Sequence, residues 1–213
     1  VTRALGNYEQ IIFWDFEFIS EPGEHPDVVC LAWHEWPSGQ THRLWRDQLG
    51  ATPPFRIDDK VLCICFVGNA ELCCHLALGW PLPVNVLDLS AEFRCITNGR
   101  TVPAGKGLLG AMAYYGLDSI DSKRKDAIRD RIIKGWPFTD EERAEILLYC
   151  ASDVGAMVRL LPKMLPDIEP GIALHRGEFV GVSARMEHRG VPMDMEIFPS
   201  LTDQHAWRYV RDA

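Results

Sequence analysis

Residues 9–19 read Glu9-Gln10-Ile11-Ile12-Phe13-Trp14-Asp15-Phe16-Glu17-Phe18-Ile19, and the reading of this stretch decides the fold. β-branched and aromatic residues dominate it, as in a central strand buried on both faces. Two acids stand inside it. Asp15 and Glu17 are two apart, so on a strand both side chains leave the same face. An ionised carboxylate among apolar neighbours is costly unless a cation or a metal ion balances it. A solvated edge strand would also tolerate the pair. The large apolar neighbours Phe13, Trp14, Phe16 and Phe18 favour instead a buried strand carrying a functional pair.

Outward from this strand, Glu21-Pro22-Gly23 ends it. Residues 28–36 and 41–45 read as two further strands joined by the turn Pro37-Ser38-Gly39, both expected antiparallel to the first. Residues 61–67 form a fourth apolar strand, 70–78 a helix stopped by Gly79, and 84–87 a short strand. The chain then turns helical, over 90–96, 108–115 and 122–134. The longest helix opens at Thr139, which with Glu142 has the capping-box pattern. It runs through Asp153 toward Leu161, with Pro162 expected beyond its end. A helix over 172–189 stops at Gly190, and another is expected from Val191-Pro192-Met193-Asp194 to the last residue. Strands first, then one helix, one strand and a run of helices describe an α/β fold, a mixed five-stranded sheet flanked by helices with a helical extension at the C-terminal end.

Composition narrows the function. The 213 residues are 47% hydrophobic and 24% charged, which is globular and excludes disordered or collagen-like chains. No apolar run reaches membrane-spanning length, and no secretory leader pattern opens the chain. The sequence starts without Met, so a trimmed chain or a fragment is expected. With 22 Lys plus Arg against 30 Asp plus Glu, the net charge is −8. That argues against coating duplex DNA but suits an enzyme that holds metal ions against phosphate. The seven cysteines are expected to be reduced and buried. A zinc cluster of Cys63, Cys65, Cys73, Cys74 and His75 is the less favoured alternative, because Cys-x-Cys on a strand lacks zinc-knuckle spacing.

Tyr149 and Asp153 lie at i and i+4 on the long helix and share a face. Alone, this pattern is an ordinary amphipathic helix. Together with the first motif it is specific. Trp14-Asp15-Phe16-Glu17 resembles the first motif of the DEDD 3′–5′ exonuclease superfamily. Tyr149-Cys150-Ala151-Ser152-Asp153 resembles the third motif of its tyrosine branch. Residues 184–194, Ala-Arg-Met-Glu-His-Arg-Gly-Val-Pro-Met-Asp, resemble the start of the polymerase domain in family A DNA polymerases. The chain is therefore similar to the proofreading domain of a phage-type family A polymerase. The resemblance implies an RNase H-like exonuclease domain over 1–168 and a helical segment over 169–213 that begins a polymerase domain.

The second motif departs from the family. An Asp is usual at the start of the helix after the fourth strand, where this chain reads Gly68-Asn69-Ala70-Glu71-Leu72-Cys73-Cys74-His75. Counting from Asn69 in the polymerase manner places Cys73 on the Asp. A gapless match to the ribonuclease D branch places Glu71 there and brings Leu87-Asp88 onto that branch's Ile-Asp pair. Glu71 is expected to be the fourth acid, its longer arm still reaching a metal. A weakened second metal site is the alternative.

The resemblance further implies two divalent ions, Mg2+ or Mn2+, held by Asp15, Glu17, Glu71 and Asp153, with Asp15 bridging them and Tyr149 orienting the attacking water. Phe18 and its backbone are implied contacts to the terminal nucleotide of a single-stranded DNA 3′ end. The dense basic stretch Lys123, Arg124, Lys125, Arg129, Arg131 and Lys134 reads as a solvated helix face or as a guide for the strand. A polymerase following in the same chain, a monomer, no membrane contact and a bacterial cytoplasmic location, in a phage-encoded protein or not, complete the expectation. Two rivals stand beside the DNA exonuclease: a degenerate exonuclease fold that only holds DNA, and an RNA 3′-trimming enzyme of the ribonuclease D kind.

Overall fold

The computed structural model describes residues 8–21, 23–118, 122–196 and 198. Five strands form one sheet in the order β3-β2-β1-β4-β5. They are β1 (Gln10–Ile19), β2 (Asp27–Trp36), β3 (Gln40–Trp45), β4 (Val61–Cys65) and β5 (Asn85–Asp88). β1 is central, antiparallel to β2 and parallel to β4, and β5 continues parallel beyond β4. The first three strands form a meander. β3 pairs with β2 alone, so the expectation that both follow β1 antiparallel holds only for β2. A turn as short as 37–39 can return the chain only to the strand it has just left.

Six helices among the described residues flank the sheet: α1 (Gly68–Ala77), α2 (Leu89–Ile96), α3 (Leu108–Tyr114), α4 (Ser122–Ile133), α5 (Asp140–Met164) and α6 (Pro170–Arg189). α5 starts on the expected capping box, with the Glu142 amide donating to Thr139 Oγ1 and the Thr139 amide donating to Glu142. It does not stop before Pro162 but carries it inside. Near a C-terminus the missing amide removes a single helical bond, and the buried neighbours Leu160, Leu161 and Met164 hold the last turn. The helix expected beyond residue 194 lies largely outside the described residues.

The two faces of β1 enter different cores. Ile11 and Phe13 pack with Cys150, Val154 and Met157 of α5. Ile12, Trp14 and Phe16 pack with Leu72 and Cys74 of α1 and with Phe55 and Trp80. α6 covers the β5 edge, where an open strand would otherwise present unpaired amides. It approaches so closely that a Cβ on Gly177 would stand 1.9 Å from the Val86 carbonyl oxygen. Arg176 of α6 forks onto the buried Glu92 of α2 at 2.6 and 2.5 Å. No described helix is long and apolar enough to cross a membrane.

Candidate active site

The site forms where β4 parts from β1. Their pairing ends at Phe13 and Ile64, so the last part of β1 has no neighbour on that side. Its amides need other partners, and the start of α1 enters the gap. Glu71, in the first turn of α1, accepts the Phe16 amide at 2.8 Å and is buried. Phe16 lies between Asp15 and Glu17, so this bond brings Glu71 to the acid pair. Cys73, two residues on, turns elsewhere and its thiol faces the Ala184 carbonyl of α6. Burial pushes that thiol up to about 11, far from the ionised state a metal ligand needs.

The start of α1 is itself fixed by Asp88. Its carboxylate accepts the amides of Val67 and Gly68 at 3.2 and 2.9 Å, and also those of Ser90 and Ala91 that open α2. Val67 adopts a left-handed backbone conformation, φ 68°, strained for a β-branched residue. Asp88 thus ties down the turn that aims Glu71.

α5 supplies the remaining groups. The Cys150 thiol donates to the Asp15 carbonyl at 3.1 Å, which docks this helix on β1 and brings Tyr149 and Asp153 over the acids. Asp153 is paired with Lys125 of α4, both largely buried, and Lys125 also lies 5.3 Å from the centre of the Tyr149 ring. Burial first, then repulsion from Asp153, raises the Asp15 carboxyl well above its ordinary value. Burial and the Asp15 charge do the same to Glu17 and to Glu71. Asp153 is raised by burial, against the lowering pull of Lys125. Burial and the nearby acids push the Tyr149 hydroxyl far up, so it stays protonated.

The structure therefore brings Asp15, Glu17, Glu71, Tyr149 and Asp153 together. The ligand atoms of Asp15, Glu17 and Cys150 lie within 4.8 Å of one another, while Glu71 is held by the Phe16 amide and Asp153 by Lys125. The oxygen donors fit hard divalent ions; the thiol of Cys150 does not. Phe18 lines a neighbouring open cleft of about 660 Å³, between the β1–β2 loop, Asn69 and Ala70 of α1, and Glu187 and His188 at the end of α6. Sequence reasoning did not find the pairing of Lys125 with Asp153, the contact of Cys150 with Asp15, or the lining by α6. Each depends on how helices dock, which spacing along the chain does not record.

No protein-family model matches the chain, and no curated protein matches it. Solved structures do. An apo nuclease aligns with a TM-score of 0.61 at 14% identity, over 92% of this chain and 93% of its own. The Trypanosoma brucei RNase D complex with RNA U12 aligns at 0.61 and 16% identity, over 88% of this chain. Escherichia coli RNase D, described as an exoribonuclease involved in structured RNA processing, aligns at 0.55 and 14% identity, over 83% of this chain. This chain spans 66% of the length of the trypanosome protein and 45% of the bacterial one. At these identities the likeness is one of fold: the chain shares an RNase H-like fold, a mixed five-stranded sheet flanked by helices, with these nucleases.

Proposed function

We propose that the chain is a metal-dependent 3′–5′ exonuclease that releases nucleoside monophosphates from single-stranded or frayed 3′ ends. The observation that carries this reading is the convergence of four carboxylates, from β1, α1 and α5, beside an open cleft. Four acids against Lys125, the cation hydrogen-bonded to them among the described residues, leave a surplus of negative charge that suits Mg2+ or Mn2+. Asp15, Glu17 and Asp153 would hold one ion, and Asp15 with Glu71 the other. When bound, paired ions activate the nucleophile and offset charge on the departing 3′ oxygen.

The chain's own groups do the rest. The protonated Tyr149 hydroxyl donates a hydrogen bond that orients the attacking water. Phe18 and Ala70 give the terminal nucleoside an apolar wall that accepts any base. Lys125 offsets part of the burial cost that raises the Asp153 carboxyl.

The sequence of residues 184–194 supports DNA as substrate, in the proofreading part of a polymerase whose next domain begins with the segment 169–213. The fold shared with RNase D supports RNA trimming as the second reading. Single strands of DNA and of RNA, labelled at the 3′ end, separate the two. Labelled mononucleotide should appear with Mg2+ or Mn2+, vanish with chelator, and vanish in Asp15→Ala. No release from either polymer would leave a nucleic-acid-holding module in place of the enzyme.

A further inference from the structure

On the flank of β1 away from the terminal cleft lies an aromatic and guanidinium cluster. Trp136 and Phe138, in the link between α4 and α5, pack edge-on against each other at 4.8 Å and against Trp45 of β3 at 6.1 and 5.7 Å. Arg46 lies 5.5 Å from the Trp136 ring centre, Arg143 4.9 Å from that of Trp45 and Arg131 4.4 Å from that of Phe138. All of these except Arg131 line an open hollow of about 470 Å³, together with Asp47 and Pro137. The Trp136 indole N–H already donates to Asp27 at 2.7 Å, yet 41% of the residue stays exposed. A large ring with its polar group satisfied and its surface left in water is a ready stacking partner.

The position of the hollow gives the ring a use. Glu17 pairs with Cys30, and Cys30 with Trp45, so Trp45 stands in the same row as Glu17, two strands and roughly 10 Å away. Cys30 and Trp45 share the core that contains α5, which is the face from which Tyr149 and Asp153 come. Gly135 lies against Ile19, two residues past Glu17. α4 spans from Lys125 at Asp153 to Ile133 beside this link, about 12 Å of helix. The acids therefore sit between two concavities, the terminal cleft on the α1 and α6 side and this hollow on the β3 and α4 side.

We propose that the hollow is a second nucleic-acid subsite, in which Trp136 stacks a base of the single strand a few nucleotides upstream of the scissile phosphate. This rests on the exonuclease reading above. Arg46 lies over the Trp136 ring and Arg143 over that of Trp45, but both are paired, with Asp27 and Asp47, so stacking rather than net charge supplies the affinity. Recognition is accordingly tolerant of base identity and only weakly dependent on salt.

The same contacts could serve merely to pin the link onto β3, and the test separates the two. Oligothymidylate about 10 nucleotides long, a length within ordinary single-strand site sizes, is titrated with chelator present, following tryptophan fluorescence. A trinucleotide, which fills the acid cleft alone, is the control. Trp136→Ala should weaken binding of the longer strand about tenfold and leave the trinucleotide unchanged. Trp136→Phe, which keeps the link packed, should bind with intermediate affinity and lose part of the quench. With Mg2+, Trp136→Ala should raise KM for the longer strand with kcat unchanged. Equal binding of the longer strand by parental and Trp136→Ala chains would overturn the subsite, as would equal losses for both lengths together with a lowered melting temperature. Absence of cleavage by the parental chain would count against the nuclease reading; the binding comparison judges the stacking site by itself.

Discussion

Glu71 on α1 accepts the backbone amide of Phe16 on β1 at 2.8 Å, across 55 residues of sequence. The bond exists because β4 leaves β1 after Phe13 and strands that amide without a sheet partner. A Glu, one methylene longer than an Asp, reaches that amide from α1, and the Asp15 charge adds to burial in raising its carboxyl. The irregular motif is thus compatible with a complete set of four acids.

Glu71→Gln retains an oxygen for the Phe16 amide but loses the charge. Folding should be nearly unchanged, while metal-dependent cleavage falls on the order of a hundredfold. Cys73→Ser, facing α6, should cost about 1 kcal/mol of stability and leave the cleavage rate near parental. Single-turnover rates and denaturant melts on both variants check this pair, and a fast Glu71→Gln enzyme would remove Glu71 from the site.

Asp15 and Asp153 should behave differently in stability, although loss of either is expected to abolish cleavage. The Asp15 carboxyl is raised by burial and repulsion, so its folded value lies above the unfolded value of about 4. Such a group contributes most to stability below that value and loses its contribution as pH rises through the folded value. Asp15→Asn should therefore melt higher than the parental chain at neutral pH without metal, with the gain shrinking toward pH 4, and Mn2+ should stabilise only the parental chain. Asp153→Asn leaves Lys125 largely buried and unpaired, which should cost about 3 kcal/mol. Combining it with Lys125→Met should recover most of that loss. Thermal melts across pH, with and without Mn2+, give the answer.

How far the sequence reached is clear from particular residues. Asp15 and Glu17 were readable because alternation fixes their common face, and Asp153 because helical spacing sets it over Tyr149. The sheet followed from apolar runs and turns. Three things were not readable. Val67 leaves the strand pattern at residue 65 because Asp88, 21 residues on, binds its amide. Pro162 stays helical because buried neighbours hold its turn. Lys125 reads as one charge in a solvated basic run, and only the docking of α4 on α5 turns it inward. All three are tertiary effects that outweigh local preference.

His75 offers a test of the core independent of catalysis. It sits within an aromatic cage of Trp14, Phe16, Phe55 and Trp80. Burial lowers its value to about 4, so the folded protein keeps it neutral. The unfolded chain takes up its proton near pH 6.5. Stability linked to this group is thus intact above pH 6.5 and is lost as pH falls toward 4, by on the order of 3 kcal/mol. In His75→Phe the slope of unfolding free energy against pH over that window should flatten relative to the parental chain. Urea titrations at several pH values measure it, and an unchanged slope would mean that His75 is protonated in the fold.

Tyr149 separates water positioning from metal binding. Its hydroxyl faces the charges of Asp153, Glu17 and Asp15, which with burial keep it protonated, and a neutral hydroxyl is a poor ligand beside four carboxylates. Tyr149→Phe removes one hydrogen-bond donor and leaves the ring under Lys125. The cleavage rate should fall about 10- to 100-fold, the range of a lost positioning contact. The Mn2+ concentration giving half-maximal stabilisation should stay at the parental value. Because the hydroxyl does not ionise in the working range, the rate of the parental enzyme should show no decline from tyrosine ionisation below about pH 10. Measuring rate and Mn2+-dependent melting on the same two proteins decides between roles: a variant that needs much more Mn2+ for stabilisation would make Tyr149 part of the metal site.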